Sequence, residues 1–98
     1  MVQTAKQENE QRMPVISKFY GIVIRMLAVR ALCARFHAFY EGYELVVGIA
    51  PLRVIQGQAP IRVKDLVLEW AALHQQELVE DWKRCCRWEK PQPIAPLS

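Results

Sequence analysis

The two histidines carry most of the chemistry open to this chain. His74 stands three residues before Glu77 in a segment of helical periodicity, so the carboxylate can accept a hydrogen bond from the ring and favour its protonated form. Such a pair can take up and return a proton, although a histidine beside a glutamate on a helix more often serves packing or the surface. His37 follows Cys33 by four residues, with Arg35 between them. Thiolate and imidazole suit a soft metal, but two ligands fall short of a structural zinc site, and no metal is expected. His37, His74, Glu77 and Arg35 are the candidate catalytic residues. Cys85 and Cys86 lie among Lys83, Arg84 and Arg87. Cations lower a thiol pKa, but the negative end of the helix dipole opposes them, which leaves a reactive cysteine as a minor alternative.

Other catalytic signatures are missing. The sequence has no Gly-rich phosphate loop, no Gly-x-Ser-x-Gly elbow and no His-Glu-x-x-His helix, and its four glycines leave little room for a nucleotide cradle. No cofactor is expected, and an independent metabolic enzyme is disfavoured. A basic first half is the other chemical feature. Lys18, Arg25, Arg30 and Arg35 fall between residues 13 and 40 with no carboxylate among them. That pattern fits an RNA, DNA or acidic-protein partner, with Arg30 and Arg35 as contacts, and it equally fits a solvated sheet face.

These side chains need elements to position them. Val63, Leu66, Val67, Trp70, Leu73, Leu78 and Trp82 recur at helical spacing with charges between them, which predicts one long amphipathic helix over residues 60–88. Pro60 fits its first turn. The tryptophans read as core anchors rather than a base-stacking platform. Residues 15–27 predict a first strand, with Tyr20, Ile22, Ile24 and Met26 on one face and Phe19, Val23 and Arg25 on the other. Residues 36–40 and 43–49 predict a hairpin around Glu41-Gly42, with Tyr43, Leu45, Val47 and Ile49 buried. Residues 50–53 form a turn, and residues 54–56 return as a short edge strand. Residues 27–35 connect strands, in either helical or extended form.

The expected fold is α+β: a small antiparallel sheet of three or four strands packed on one long C-terminal α-helix. Its organisation is a flexible extension over residues 1–12, one domain over 13–90 and a Pro-rich tail over 91–98. Phe19, Val23 and Phe39 are expected on the sheet face away from the helix, where exposed aromatics suit a homodimer or a partner. A chain of 98 residues makes one domain. Its three cysteines, two of them adjacent, suit a reducing cytoplasm better than a disulfide framework. The polar start is unlike a secretory signal, and the most apolar window, residues 22–34, holds Arg25 and Arg30 and is too short to cross a bilayer.

Several separated motifs, in order, carry a family resemblance. They are Met13-Pro14-Val15-Ile16-Ser17-Lys18-Phe19-Tyr20-Gly21-Ile22-Val23-Ile24-Arg25-Met26, then Phe36-His37-Ala38, then Leu68-Glu69-Trp70-Ala71-Ala72-Leu73-His74 with Trp82, and Ile94-Ala95-Pro96-Leu97. Together they resemble the bacterial domain-of-unknown-function family four-one-six-zero. The resemblance implies a small prokaryotic protein encoded beside a second small domain, the pair acting as a type II toxin–antitoxin module with this chain as the toxin-like member. It also exposes a departure. Family members usually carry His-Asn-Pro-Pro-His-Phe-His after the first strand, where this chain has Ala31-Leu32-Cys33-Ala34-Arg35-Phe36-His37. Only the last histidine remains, so the family's cluster cannot form and activity is expected to be lost or reduced. The alternative expectation is a nucleic-acid-binding or regulatory module without catalysis.

Overall fold

The computed structural model describes residues 14–26 and 33–98. The extension expected over residues 1–12, the candidate contact Arg30 and most of the connection over 27–35 lie outside the described residues.

Among the described residues, five antiparallel strands run as a meander hydrogen-bonded in chain order: β1 (Val15–Phe19), β2 (Ile22–Arg25), β3 (Arg35–Tyr40), β4 (Tyr43–Ile49) and β5 (Leu52–Gln58). Two helices follow, α1 (Ile61–Leu73) and α2 (Gln75–Cys86). The class is α+β as expected, but the sheet has five strands rather than three or four, and the helix is divided.

The extra strand comes from a turn hidden in the first apolar run. Tyr20 and Gly21 both have positive φ, +51° and +78°, the requirement of a two-residue hairpin turn whose twist matches its strands. Glu41 and Gly42 repeat the device at +44° and +85° between β3 and β4. Closing the first hairpin pairs Phe19 with Ile22, so both point to the same face. Phe19 is therefore core, 7% exposed, and not on the outer face as its place in a single strand predicts. Tyr20 instead projects from the turn, 59% exposed. A bulge in β1 turns the consecutive Ile16 and Ser17 both inward.

The helical break falls at His74, whose φ of −118° and ψ of 24° leave the helical region. Backbone bonds from His74 N–H to Trp70 O and from Leu78 N–H to His74 O persist across it. The buried stripe consequently continues through Val63, Val67, Trp70, Leu78, Asp81 and Cys85. At the junction the Gln75 side chain donates to Ile49 O, 2.6 Å away, tying the helices to the end of β4. Leu73, read as part of the stripe, is 67% exposed, and Tyr43 is also exposed while Leu45, Val47 and Ile49 are buried.

Trp70 is the centre of the core. It is fully buried, with Phe19 at 5.4 Å and Phe36 edge-on at 5.7 Å between ring centroids. Its indole Nε1–H donates to Ala95 O at 2.8 Å. The acceptor belongs to the Pro-rich C-terminal segment, which is extended and docked. Ile94 N–H donates to Ile16 O of β1 at 2.8 Å, Gln92 N–H donates to Asp81 Oδ1 at 2.7 Å, and Ile94 is buried. The segment thus occupies a backbone acceptor on the outer side of β1 and closes the core beneath Trp70.

Candidate functional site

The helices pack on the face that carries Ile22, Ile24, Phe36, Ala38, Leu45 and Val47. Strand register then assigns the other face. Lys18, Val23, Phe39, Glu44 and Gln58 form one cross-strand row. Arg25, His37, Val46 and Gln56 form the next, and Arg35, Gly48 and Arg53 a third. Of the candidates singled out above, His37, Arg35 and Phe39 share this outer face. Phe19 is on the inner one, and His74 and Glu77 lie in the helical layer. The two histidines are on opposite sides of the sheet and build no common acid–base site.

Each histidine has its own carboxylate. His37 Nδ1–H donates to Glu44 Oε2 at 2.8 Å, and its ring lies nearly parallel to Phe39, 11° apart with centroids at 6.2 Å. A carboxylate on Nδ1 fixes the imidazole and leaves Nε2 as the working nitrogen. Arg35, two residues back on β3, bends toward Cys33, its Nη2 donating to the sulfur at 3.2 Å and its Nε to the carbonyl at 3.4 Å. On the helical side, His74 Nδ1–H donates to Glu77 Oε1 at 2.5 Å, as the three-residue spacing predicts, while its ring packs 5.7 Å from that of Trp70. That packing makes His74 a wedge at the helical junction. Among the described residues, no group of three or more His, Cys, Asp or Glu side chains is placed to hold a metal ion.

Two groups that sequence reasoning passed over matter here. Glu44 was legible from the hairpin: a two-residue turn at Glu41-Gly42 pairs Phe39 with Glu44 and sets Glu44 diagonally beside His37. Asp81 is one of the charges between the apolar positions of the helical pattern, and it is 1% exposed. Its Oδ1 accepts from Arg84 Nη1 at 2.8 Å and from Gln92 N–H, while Oδ2 has no partner among the described residues. Burial raises the Asp81 carboxyl above its ordinary range, against the opposing pull of the Gln92 and Arg84 hydrogen bonds. The clue was position: Leu78, Asp81 and Cys85 continue the buried stripe. Cys85, buried beside Asp81, has its thiol pushed up to about 11, first by desolvation and then by the Asp81 charge and Cys86. It is protonated and inert at neutral pH, which removes it as a nucleophile.

A five-stranded meander roofed on one side by two helices defines the class, a small α+β domain whose outer sheet face carries one of its two histidine–carboxylate pairs. The chain belongs to the family described as Domain of unknown function (DUF4160), whose profile matches residues 21–83. The match takes in β2 to β5, both histidines and most of the helical layer. No curated protein and no solved structure gives a match. No helix among the described residues is long and apolar enough to cross a membrane.

Proposed function

We propose that this chain is the toxin-like component of a prokaryotic type II toxin–antitoxin pair, working in the cytoplasm through protein–protein contact, with catalytic activity lost or reduced. Two things support reduced chemistry: Ala31 and Arg35 stand where the family usually has histidines, and His37 and His74 are divided by the sheet. The observation that carries the protein–protein part is the asymmetry of the two sheet edges. On the β1 side, the C-terminal segment supplies Ile94 N–H to Ile16. β5 is the last strand on the other side, and Arg53, Ile55, Gln56, Gly57 and Gln58 are exposed along it. An exposed edge strand presents backbone donors and acceptors that a partner's strand can extend. The cognate small protein of the neighbouring gene docks there.

Co-expression tests the pairing. Expression of this chain alone should slow growth, and expression with the neighbouring gene should restore it. Indifference of the host to the chain alone would overturn the toxin-like role. Hydrogen exchange tests the edge. Partner binding should slow the amides of residues 52–58, and protection confined to the helices would overturn the docking site. A dimer in the absence of partner, with the same amides protected, would assign the edge to a second copy instead.

A further inference from the structure

We propose that the outer face of the sheet binds single-stranded RNA, a reading that goes beyond the pairing above and uses the open face rather than the β5 edge, with the side chains of Arg53, Gln56 and Gln58 bordering both. The first observation is a charge asymmetry between the layers. The five strands contain Lys18, Arg25, Arg35 and Arg53 but only one carboxylate, Glu44. Register puts all four cations on the outer face, and Glu44 is engaged by His37. The helices are balanced by comparison, with Arg62, Lys64, Lys83 and Arg84 set against Asp65, Glu69, Glu77, Glu80 and Asp81. The charge on this face is complementary to a polyanion.

The second observation selects the kind of polyanion. His37 and Phe39 lie two residues apart on β3 with nearly parallel rings, in the middle of the sheet and between the cations. Successive same-face positions on a strand are about 6.8 Å apart. The His37 side chain is only 13% exposed and backs Phe39, so the half-buried Phe39 ring is the aromatic surface offered to unstacked bases, the device by which sheet domains hold single-stranded RNA. Duplexes keep their bases stacked on each other and have no use for such a ring. Lys18 at one margin, and Arg35 and Arg53 at the other, would then hold phosphates on either side of the stacked bases. Gln56 and Gln58 lie in the same two rows on β5 and supply side-chain acceptors for ribose 2′-hydroxyls, which favours RNA over DNA.

The test is fluorescence anisotropy with a labelled eight-nucleotide oligouridylate, the deoxythymidine octamer and a labelled polyglutamate peptide, each titrated with the full chain across salt concentrations. RNA should bind with a log–log salt slope of about −2, as expected for three phosphate contacts on a single strand. Lys18→Glu with Arg53→Glu alters two exposed positions, and should weaken RNA binding at least tenfold and flatten the slope. Phe39→Leu keeps an apolar side chain but removes the ring, and should weaken binding about fivefold or more with the slope unchanged. Unchanged melting temperatures establish that these variants are folded. Absence of RNA binding at low salt, or indifference to both variants, overturns the proposal. Equal or tighter binding of the DNA octamer overturns the RNA assignment, and preferential binding of polyglutamate assigns the face to an acidic protein. None of these results bears on growth rescue by the neighbouring gene, so the two readings fail separately.

Discussion

Replacing Trp70 separates the two contributions it makes to the core. Its indole is fully buried between Phe19 and Phe36, and its Nε1–H holds the C-terminal segment through Ala95 O. Trp70→Ala removes the ring and the hydrogen bond and opens a cavity in a sheet–helix interface pinned on both sides, where collapse is restricted. Loss of a large buried aromatic costs about 3–5 kcal/mol, to which a lost hydrogen bond adds about 0.5–1.5 kcal/mol. A domain of this size shifts its melting temperature by about 4–8 °C per kcal/mol, so Trp70→Ala should lower Tm by roughly 15 °C or more. Trp70→Phe keeps most of the aromatic volume while deleting the donor, and should cost no more than about half as much. Far-ultraviolet circular dichroism in thermal and urea melts measures both. A Trp70→Ala protein melting within a few degrees of the parent would refute the central placement. Equal damage from Phe and Ala would refute the division between packing and hydrogen bond.

Other substitutions probe separate features. Gly57 has φ of +95°, and a Cβ there would collide with the Glu44 carbonyl oxygen, so Gly57→Ala should loosen the β4–β5 pairing by about 1–3 kcal/mol, read as faster hydrogen exchange in residues 52–58. At pH 8, a thiol reagent should label Cys33 and Cys86 quickly in the native protein and Cys85 only after unfolding, since Cys85 is buried and its thiol lies near 11. Asp81 has a distinct pH signature. Its folded pKa is raised, so the folded state binds the proton more readily than the unfolded chain. Its contribution to stability is full below the unfolded value of 3.8 and is lost as pH rises through the higher folded value. Asp81→Asn should remove that component from denaturation midpoints measured between pH 3 and 7; an unchanged pH profile would refute it.

The α+β class and the helical stripe were legible because period-two and period-3.6 apolar patterns survive in the chain almost unbroken. The β3–β4 hairpin was equally plain, with Glu41-Gly42 between two β-branched and aromatic runs. What misled was Tyr20-Gly21. A tyrosine at positive φ is uncommon, so the run around it reads as one strand. Missing that turn placed Phe19 on the wrong face. The break at His74 left no glycine or proline to announce it, and it is fixed by a tertiary contact, Gln75 to Ile49 O. At the candidate site, His74 with Glu77 followed from local spacing. His37 with Glu44 needed the hairpin register, and the burial of Asp81 needed the docked tail, a contact made eleven residues further along the chain.

The C-terminal segment also sets the order in which the fold can be completed. Ile94 and Ala95, which supply the backbone groups for Ile16 and Trp70, come later in the chain than every element they fasten. While they are still in the exit tunnel, the meander and helices can form around Trp70, but the final fastening waits until residues 92–95 have emerged. A chain cut before Gln92 therefore stays loosely closed, with the Ile16 carbonyl and the Trp70 indole N–H left without the groups that hold them.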